Sequence, residues 1–234
     1  MIAVTFALPA ESSEFLRRLR DRTSAERNGV RIVRGKMGDR MIEVLHTGVG
    51  EKICRQRIGK FLQDHQFDLL ISTGFAGALN DELQVGDLLL AKNFSTIDLN
   101  DRRSSFSSLP IHIADLLTVS ALIDSSDERN RIARASPKAF GAVDMETEFI
   151  ARACAEHGIS LLSLRVITDT PREPFPAPMK VLFDMERQRT DYRQLSSHVL
   201  KNPATLWRLI RFGIRIARAR KVLTEAVVHV VRNL

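Results

Sequence analysis

Ser160-Leu161-Leu162-Ser163-Leu164-Arg165-Val166-Ile167-Thr168, with Asp169 directly after it, reads as a buried β-strand. It carries one charge inside and another where the chain leaves. A continuous apolar run of this length, bounded by Gly158 and by Pro171, fits a strand covered on both faces. A guanidinium at Arg165 needs an anionic partner, because desolvating it unpaired costs several kcal/mol. Taken alone, Arg165 fits a core ion pair or an edge position, and Asp169 fits a turn or a cap.

The same pattern recurs outward from this stretch. Ile2–Ala7 is a short β-type run ending in Leu8-Pro9-Ala10-Glu11. Pro9 opens a helix expected from Glu11 to about Leu19. Val30–Met37 and Met41–Thr47 read as strands around the Gly38-Asp39 turn, and Thr47-Gly48-Val49-Gly50 leads into a helix expected over 51–65. Asp68–Thr73 is an apolar strand expected to end at Gly74, in Thr73-Gly74-Phe75-Ala76-Gly77. Val85-Gly86-Asp87 precedes a strand at Leu88–Ala91, and 93–110 reads as a loop. A polar helix is expected over 124–135, a strand at Phe140–Val143, and a helix from Asp144 to His157 with Gly158 past its end. Pro171, Pro174, Pro176 and Pro178 make the next stretch irregular, and a last helix runs from Asn202-Pro203 towards the C-terminus.

Strands alternating with helices predict an α/β domain with a parallel or mixed sheet. Open α/β sheets build their sites at strand ends. Acids gathered there from distant parts of the chain point to acid–base chemistry on a small molecule. Glu11, Asp144 and Glu146 are each also compatible with a place in a helix's first turn, where an acid gains a few tenths to about 1 kcal/mol. Two residues apart on a helix, Asp144 and Glu146 would point in different directions.

The 234 residues, 44% of them apolar, suffice for one sizeable core and argue against global disorder. Cys54 and Cys154 fall at apolar helix positions and are expected to be buried free thiols. No cysteine/histidine cluster suggests a metal. No signal-peptide pattern and no uncharged run of about 20 residues is seen, so a cytoplasmic protein is expected. Gly48-Val49-Gly50-Glu51-Lys52 lacks the spacing of a nucleotide-phosphate loop and reads as a tight turn into a helix. The formal charge of +7 is concentrated after Arg187, which suggests an anionic neighbour. One Trp and one Tyr leave no clustered aromatic and basic surface for nucleic acid.

Taken together and in order, Ala7–Glu11, Thr47–Gly50, Thr73–Gly77, Val85–Asp87, Val143-Asp144-Met145-Glu146 and Arg165–Asp169 resemble the nucleoside phosphorylase and nucleosidase family. The resemblance covers residues 1–170; residues 171–202 would be a lid or connector with a helix, and 203–234 a basic amphipathic helix. It implies a three-layer αβα sandwich around a mixed, partly barrel-like sheet, assembled as dimers or trimers of dimers. It also implies cleavage of the N-glycosidic bond of a purine nucleoside, with adenine the expected base, by a hydrolase or by a glycosyltransferase using phosphate. No cofactor is expected beyond phosphate as a co-substrate.

By the same resemblance Asp169 protonates the base, Glu11 activates the attacking water, and Glu146 accepts from the ribose diol. Met145 packs on the sugar, and Arg165 lies near the nucleophile, where it would pair with Glu11 or hold phosphate. Phe75, Ala76, Gly77 and Asp144 would line the substrate, and Ser120-Ala121-Leu122-Ile123 would frame the base. Phe75 stands where many members have Ser, and Ser72 where bacterial-type phosphorylases have a phosphate-binding Arg. These departures weaken the usual phosphate route and leave a non-catalytic nucleoside-binding protein as an alternative.

The C-terminal stretch resembles hopanoid-associated phosphorylases, which implies an adenosylated lipid as an alternative substrate. Residues 203–232 combine Trp207, Leu209, Ile210, Ile214 and Val222 with Arg208, Arg211, Arg215, Arg218 and Lys221. A basic amphipathic helix of this kind can lie on an anionic membrane, or pack on the domain or a second subunit.

Overall fold

The computed structural model describes residues 1–97, 110–121, 123, 126–135 and 140–233. Among them nine strands form one mixed sheet: β1 Ile2–Phe6, β2 Arg20–Arg27, β3 Val30–Met37, β4 Arg40–His46, β5 Leu69–Ala78, β6 Leu88–Ala91, β7 Ile111–Thr118, β8 Phe140–Asp144 and β9 Leu161–Asp169. The described residues also form seven helices: α1 Pro9–Arg17, α2 Glu51–Leu62, α3 Ser126–Ala135, α4 Thr147–Glu156, α5 Met179–Leu182, α6 Tyr192–Lys201 and α7 Ala204–Asn233.

The strand order is β2-β3-β4-β1-β5-β8-β7-β6-β9, and β9 pairs back onto β5. Strands β5, β8, β7, β6 and β9 therefore close into a ring, and β1 to β4 extend from it as an open arm. The ring interior is filled by small and branched side chains, among them Ala76, Ala78, Leu89, Leu116, Ala142 and Ile167.

Two further apolar layers flank the sheet. On one face Phe15 and Leu19 meet Leu223, Val227 and Val230 of α7 over β1, β4 and β9. On the other, Cys54, Ile58 and Phe61 of α2 meet Phe149, Ile150 and Cys154 of α4. Helices on both sides of a central sheet make the expected three-layer sandwich, with the partly closed sheet at its centre.

Several elements depart from the sequence reading. β5 does not end at Gly74 but runs through Gly74-Phe75-Ala76-Gly77 to Ala78, in parallel register with β9. β2 and β7 were not expected. β2 is solvated along almost its whole length, so it has no apolar alternation to read. It is held by antiparallel pairing to β3 and by Arg27, which joins Arg34 on the buried carboxylate of Glu43. Asp144 is the last residue of β8 rather than part of a helix, and α4 starts at Thr147 with Glu146 as its N-cap. The second half of α7 packs into the core. Most of the loop expected over 93–110 lies outside the described residues.

Candidate functional site

Glu11 is the third residue of α1, and its carboxylate turns back to accept from the backbone N–H of Ala7 at 2.9 Å and of Leu8 at 3.4 Å. That is the capping role open to any acid near a helix start. The surroundings are unusual for such a role, because the residue is 6% exposed. Burial pushes its carboxyl up to about 7, against the lowering effect of the two backbone bonds and of Arg165. The close approach of β5 depends on Gly74: a Cβ there would stand 3.3 Å from Glu11 Oε2.

Glu146 faces the same space from the N-cap of α4, just past β8. Its Oε1 accepts from Gly50 N–H at 2.9 Å. Gly50 holds φ at +90°, a conformation in which side chains are strained. The Gly48-Val49-Gly50 turn thus delivers a backbone donor to Glu146 as it opens α2. Burial, with Asp144 next in importance, pushes Glu146 up to about 8. Thr5, Ala7, Glu11, Thr73, Phe75, Glu146 and Arg165 are among the residues around a cavity of about 10 Å³, about the size needed to hold one water molecule.

Arg165 does not pair with Glu11. Its guanidinium pairs with Asp144, at 3.1 Å from Nε and 3.0 Å from Nη2. It also donates to the Ser72 carbonyl and hydroxyl at 2.8 Å each, to the Leu164 carbonyl, and to the Thr147 hydroxyl. All five guanidinium hydrogens are engaged, so Arg165 has no donor left for phosphate in this arrangement. Asp144 is equally occupied: it accepts from Thr118, from the backbone and hydroxyl of Thr147, and from Arg165. Asp144, expected beside the substrate, instead supplies the countercharge that Arg165 requires.

Asp169 lies apart from this cluster, at the end of β9. Its Oδ1 accepts from the Thr168 hydroxyl at 3.0 Å, and its Oδ2 is bonded to Arg129. Burial raises its carboxyl above the usual carboxylate range, opposed chiefly by Arg129. Here Gly77 makes the room, since a Cβ would stand 2.7 Å from Oδ2. Gly74 and Gly77 are three residues apart on β5, roughly 10 Å in an extended strand.

Arg129 is the residue that sequence reading missed. It sits in Ser126–Ala135, a helix whose polar composition reads as solvated. Met145 is buried and Phe75 half-buried. Leu122 lies outside the described residues, although its neighbour Ile123 is buried and its carbonyl accepts from Arg129. Cys54 and Cys154 are free and buried, as expected. Burial pushes Cys154 up to about 12 and Cys54 higher still.

A sequence model of the phosphorylase superfamily matches residues 1–114, which hold β1 to β6 and the Glu11 motif. Over those residues the chain is similar to the phosphorylase superfamily. A similar protein, the 5′-methylthioadenosine/S-adenosylhomocysteine nucleosidase of Staphylococcus haemolyticus, is 23% identical over 197 residues, covering 72% of this chain and 86% of the relative. The S. aureus enzyme of the same name is 22% identical over the same shares. Among solved structures, the Streptococcus pneumoniae MTA/SAH nucleosidase in complex with 8-aminoadenine superposes with a TM-score of 0.74 at 18% identity, covering 100% of this chain and 99% of that one. The Streptococcus pyogenes S-adenosylhomocysteine nucleosidase with 5-methylthiotubericidin gives 0.72 at 17% identity, covering 100% and 96%.

Proposed function

We propose that this chain cleaves the N-glycosidic bond of an adenine nucleoside by hydrolysis. The observation that carries the reading is the placement of three buried acids along β5. Glu11 and Glu146 share a water-sized cavity beside Gly74, and Asp169 lies beside Gly77. In this reading water attacks C1′ of the sugar while Glu11 takes its proton. A base whose pKa is about 7 is well matched to proton transfer at neutral pH. The C1′–N9 bond breaks, its electrons pass to the purine, and Asp169 delivers a proton to N7. Glu146 holds the ribose diol, and Met145 packs on the sugar. The relatives' names make 5′-thio-substituted adenosines the first substrates to try. Water is favoured over phosphate as acceptor because the guanidinium of Arg165 is saturated and position 72 is Ser.

The test is base release from methylthioadenosine, S-adenosylhomocysteine, adenosine, inosine and an adenosylated lipid, with and without phosphate. Adenine release that is indifferent to phosphate is expected, and Asp169→Asn should abolish it. No release from any substrate, or an Asp169→Asn enzyme as fast as the unsubstituted protein, would sink the reading.

A second reading concerns the first half of α7, and we propose that it rests on an anionic lipid surface. Leu206, Trp207, Ile210 and Ile214 are exposed there, Trp207 at 64%. Arg208, Arg211, Arg215 and Arg218 line an adjoining groove of about 800 Å³ with Arg172, Phe212 and Val222. Apolar anchors beside guanidinium groups suit an interface of acyl chains and anionic headgroups. Co-sedimentation with phosphatidylglycerol vesicles, lost on Trp207→Ala with Ile210→Ser, is expected. A solution dimer broken by the same substitutions, with no vesicle binding, would assign this face to a second copy instead.

A further inference from the structure

Both oxygens of Asp169 are taken. Thr168 donates to Oδ1 and Arg129 to Oδ2. Arg129 is itself 2% exposed and is anchored by its other donors, to the Ala78 carbonyl at 2.7 Å and the Ile123 carbonyl at 3.2 Å. Its Nη1 would lie 3.0 Å from a Cβ placed on Gly77. The guanidinium therefore lies over the end of β5, against the carboxyl that must reach the purine. A buried charge costs several kcal/mol unless it is paired, so this placement needs a reason beyond packing.

We propose that Arg129 is the positioning residue of the general acid: its guanidinium holds the Asp169 oxygen that the purine N7 must reach, and yields it when a nucleoside binds. The inference rests on the hydrolytic reading above. Without the nucleoside, the pair keeps a buried carboxylate compensated. As the base enters, Nη2 leaves Oδ2 and opens that oxygen to N7. The carboxyl, no longer paired, takes a proton from solvent and passes it to N7. The carbonyls of Ala78 and Ile123 remain as acceptors for the withdrawn guanidinium. The groups acting on Asp169 are Arg129 from α3, the Thr168 hydroxyl from β9, and Arg215 from α7. Arg215 is itself bonded to Glu173, so Arg129 is the charge in direct contact.

The test compares Arg129→Met and Arg129→Lys with the unsubstituted protein, using methylthioadenosine as substrate across pH. A neutral side chain of similar length removes both the competition and the countercharge. KM should fall, and the alkaline limb of kcat/KM should move up by about 1–3 pH units, the usual effect of an opposite charge at contact distance. Lys should keep the limb near its original place. A limb that stays put in Arg129→Met, with kcat lowered equally at every pH, would overturn the proposal and leave Arg129 a packing residue. If Arg129→Met fails to fold, Arg129→Gln keeps donors for Ala78 and Ile123 without the charge. Carbon-13 NMR titration of the Asp169 carboxyl, assigned by its absence in Asp169→Asn, is the activity-free readout. Its midpoint must rise in the neutral variant. Should the protein release no base at all, the hydrolytic reading fails, and this titration still decides whether Arg129 governs Asp169.

Discussion

Replacing Glu11 by Gln should stabilise the fold at alkaline pH while abolishing catalysis. Burial raises the Glu11 carboxyl from 4.5 to about 7. The folded state therefore holds this proton more tightly than the unfolded state does. Its contribution to stability is greatest below pH 4.5 and is lost as pH rises through 7, where the folded protein must ionise a buried group. The shift of about 2.5 units, at about 1.4 kcal/mol per unit, makes the loss about 3 kcal/mol. Glutamine removes the ionisation. Its carbonyl still accepts from Ala7 and Leu8, but its NH2 gains no certain acceptor, which returns about 1 kcal/mol at every pH.

The net expectation is about 2 kcal/mol of stabilisation at pH 8.5, and a slight loss at pH 4.5. For a chain of this length about 2 kcal/mol corresponds to a rise in Tm of roughly 4–8 °C. Thermal melts followed by circular dichroism at the two pH values measure the difference directly, and base release measures activity. An equal change in Tm at both pH values would refute the reasoning, because a packing effect would not depend on pH. So would an Arg165→Met protein in which Glu11 keeps its titration midpoint, since Arg165 is one of the charges said to act on it.

Activity should follow a bell in pH. Ionisation of Glu11, whose carboxyl lies at about 7, sets the pH range of one limb, and loss of the Asp169 proton sets the other; a kcat/KM that is flat from pH 5 to 9 contradicts both roles. Gly77→Ala should cost more activity than Gly74→Ala, because its Cβ would stand 2.7 Å from the Asp169 carboxylate against 3.3 Å from that of Glu11; equal kcat values for the two would show that these approaches are not critical. Arg165→Met should lower stability by about 3–5 kcal/mol by leaving Asp144 buried and unpaired. The double variant with Asp144→Asn should recover part of that loss, and denaturant titrations that find the two losses simply additive would deny the pair.

The acids were legible because each breaks an apolar run at a place where the chain leaves the sheet. Glu11, Glu146 and Asp169 could be named from that pattern with the family resemblance; the alternation of strands and helices carried the α/β class, and the resemblance carried the closed ring with its helical layers. Arg165 was legible as a charge needing a partner, but the partner was not. Asp144 lies between an apolar run and a helical one, and hydropathy does not say on which side of the boundary it falls. The structure makes it the end of β8, where its carboxylate pairs with Arg165 and also accepts from the Thr147 N–H that opens α4. Ser126–Ala135 is polar enough to read as solvated. A single buried Arg129 leaves no trace in its periodicity, because the reason for its burial, Asp169, lies 40 residues further on. β2 was illegible for a related reason: both of its faces are largely wet, and its pairing is decided by β3.

Gly74 and Gly77 mislead for an instructive reason. Glycine weakens a strand on its own account, so two of them within four residues read locally as its end. Their use here is lateral. Register with β9 places Arg165 opposite Gly74 and Asp169 opposite Gly77, and the missing side chains let two carboxyls press against the β5 backbone. That closeness helps to bury Glu11 and Asp169, and burial is the largest cause of the raised pKa of each. The cost to the strand is about 1 kcal/mol or less per glycine, against shifts that place one acid near neutrality. Proton transfer in both directions at one pH thus depends on residues that carry no functional group. A Cβ at Gly77, 2.7 Å from Asp169 Oδ2, would force that carboxyl to shift, and one at Gly74, 3.3 Å from Glu11 Oε2, would press on the other.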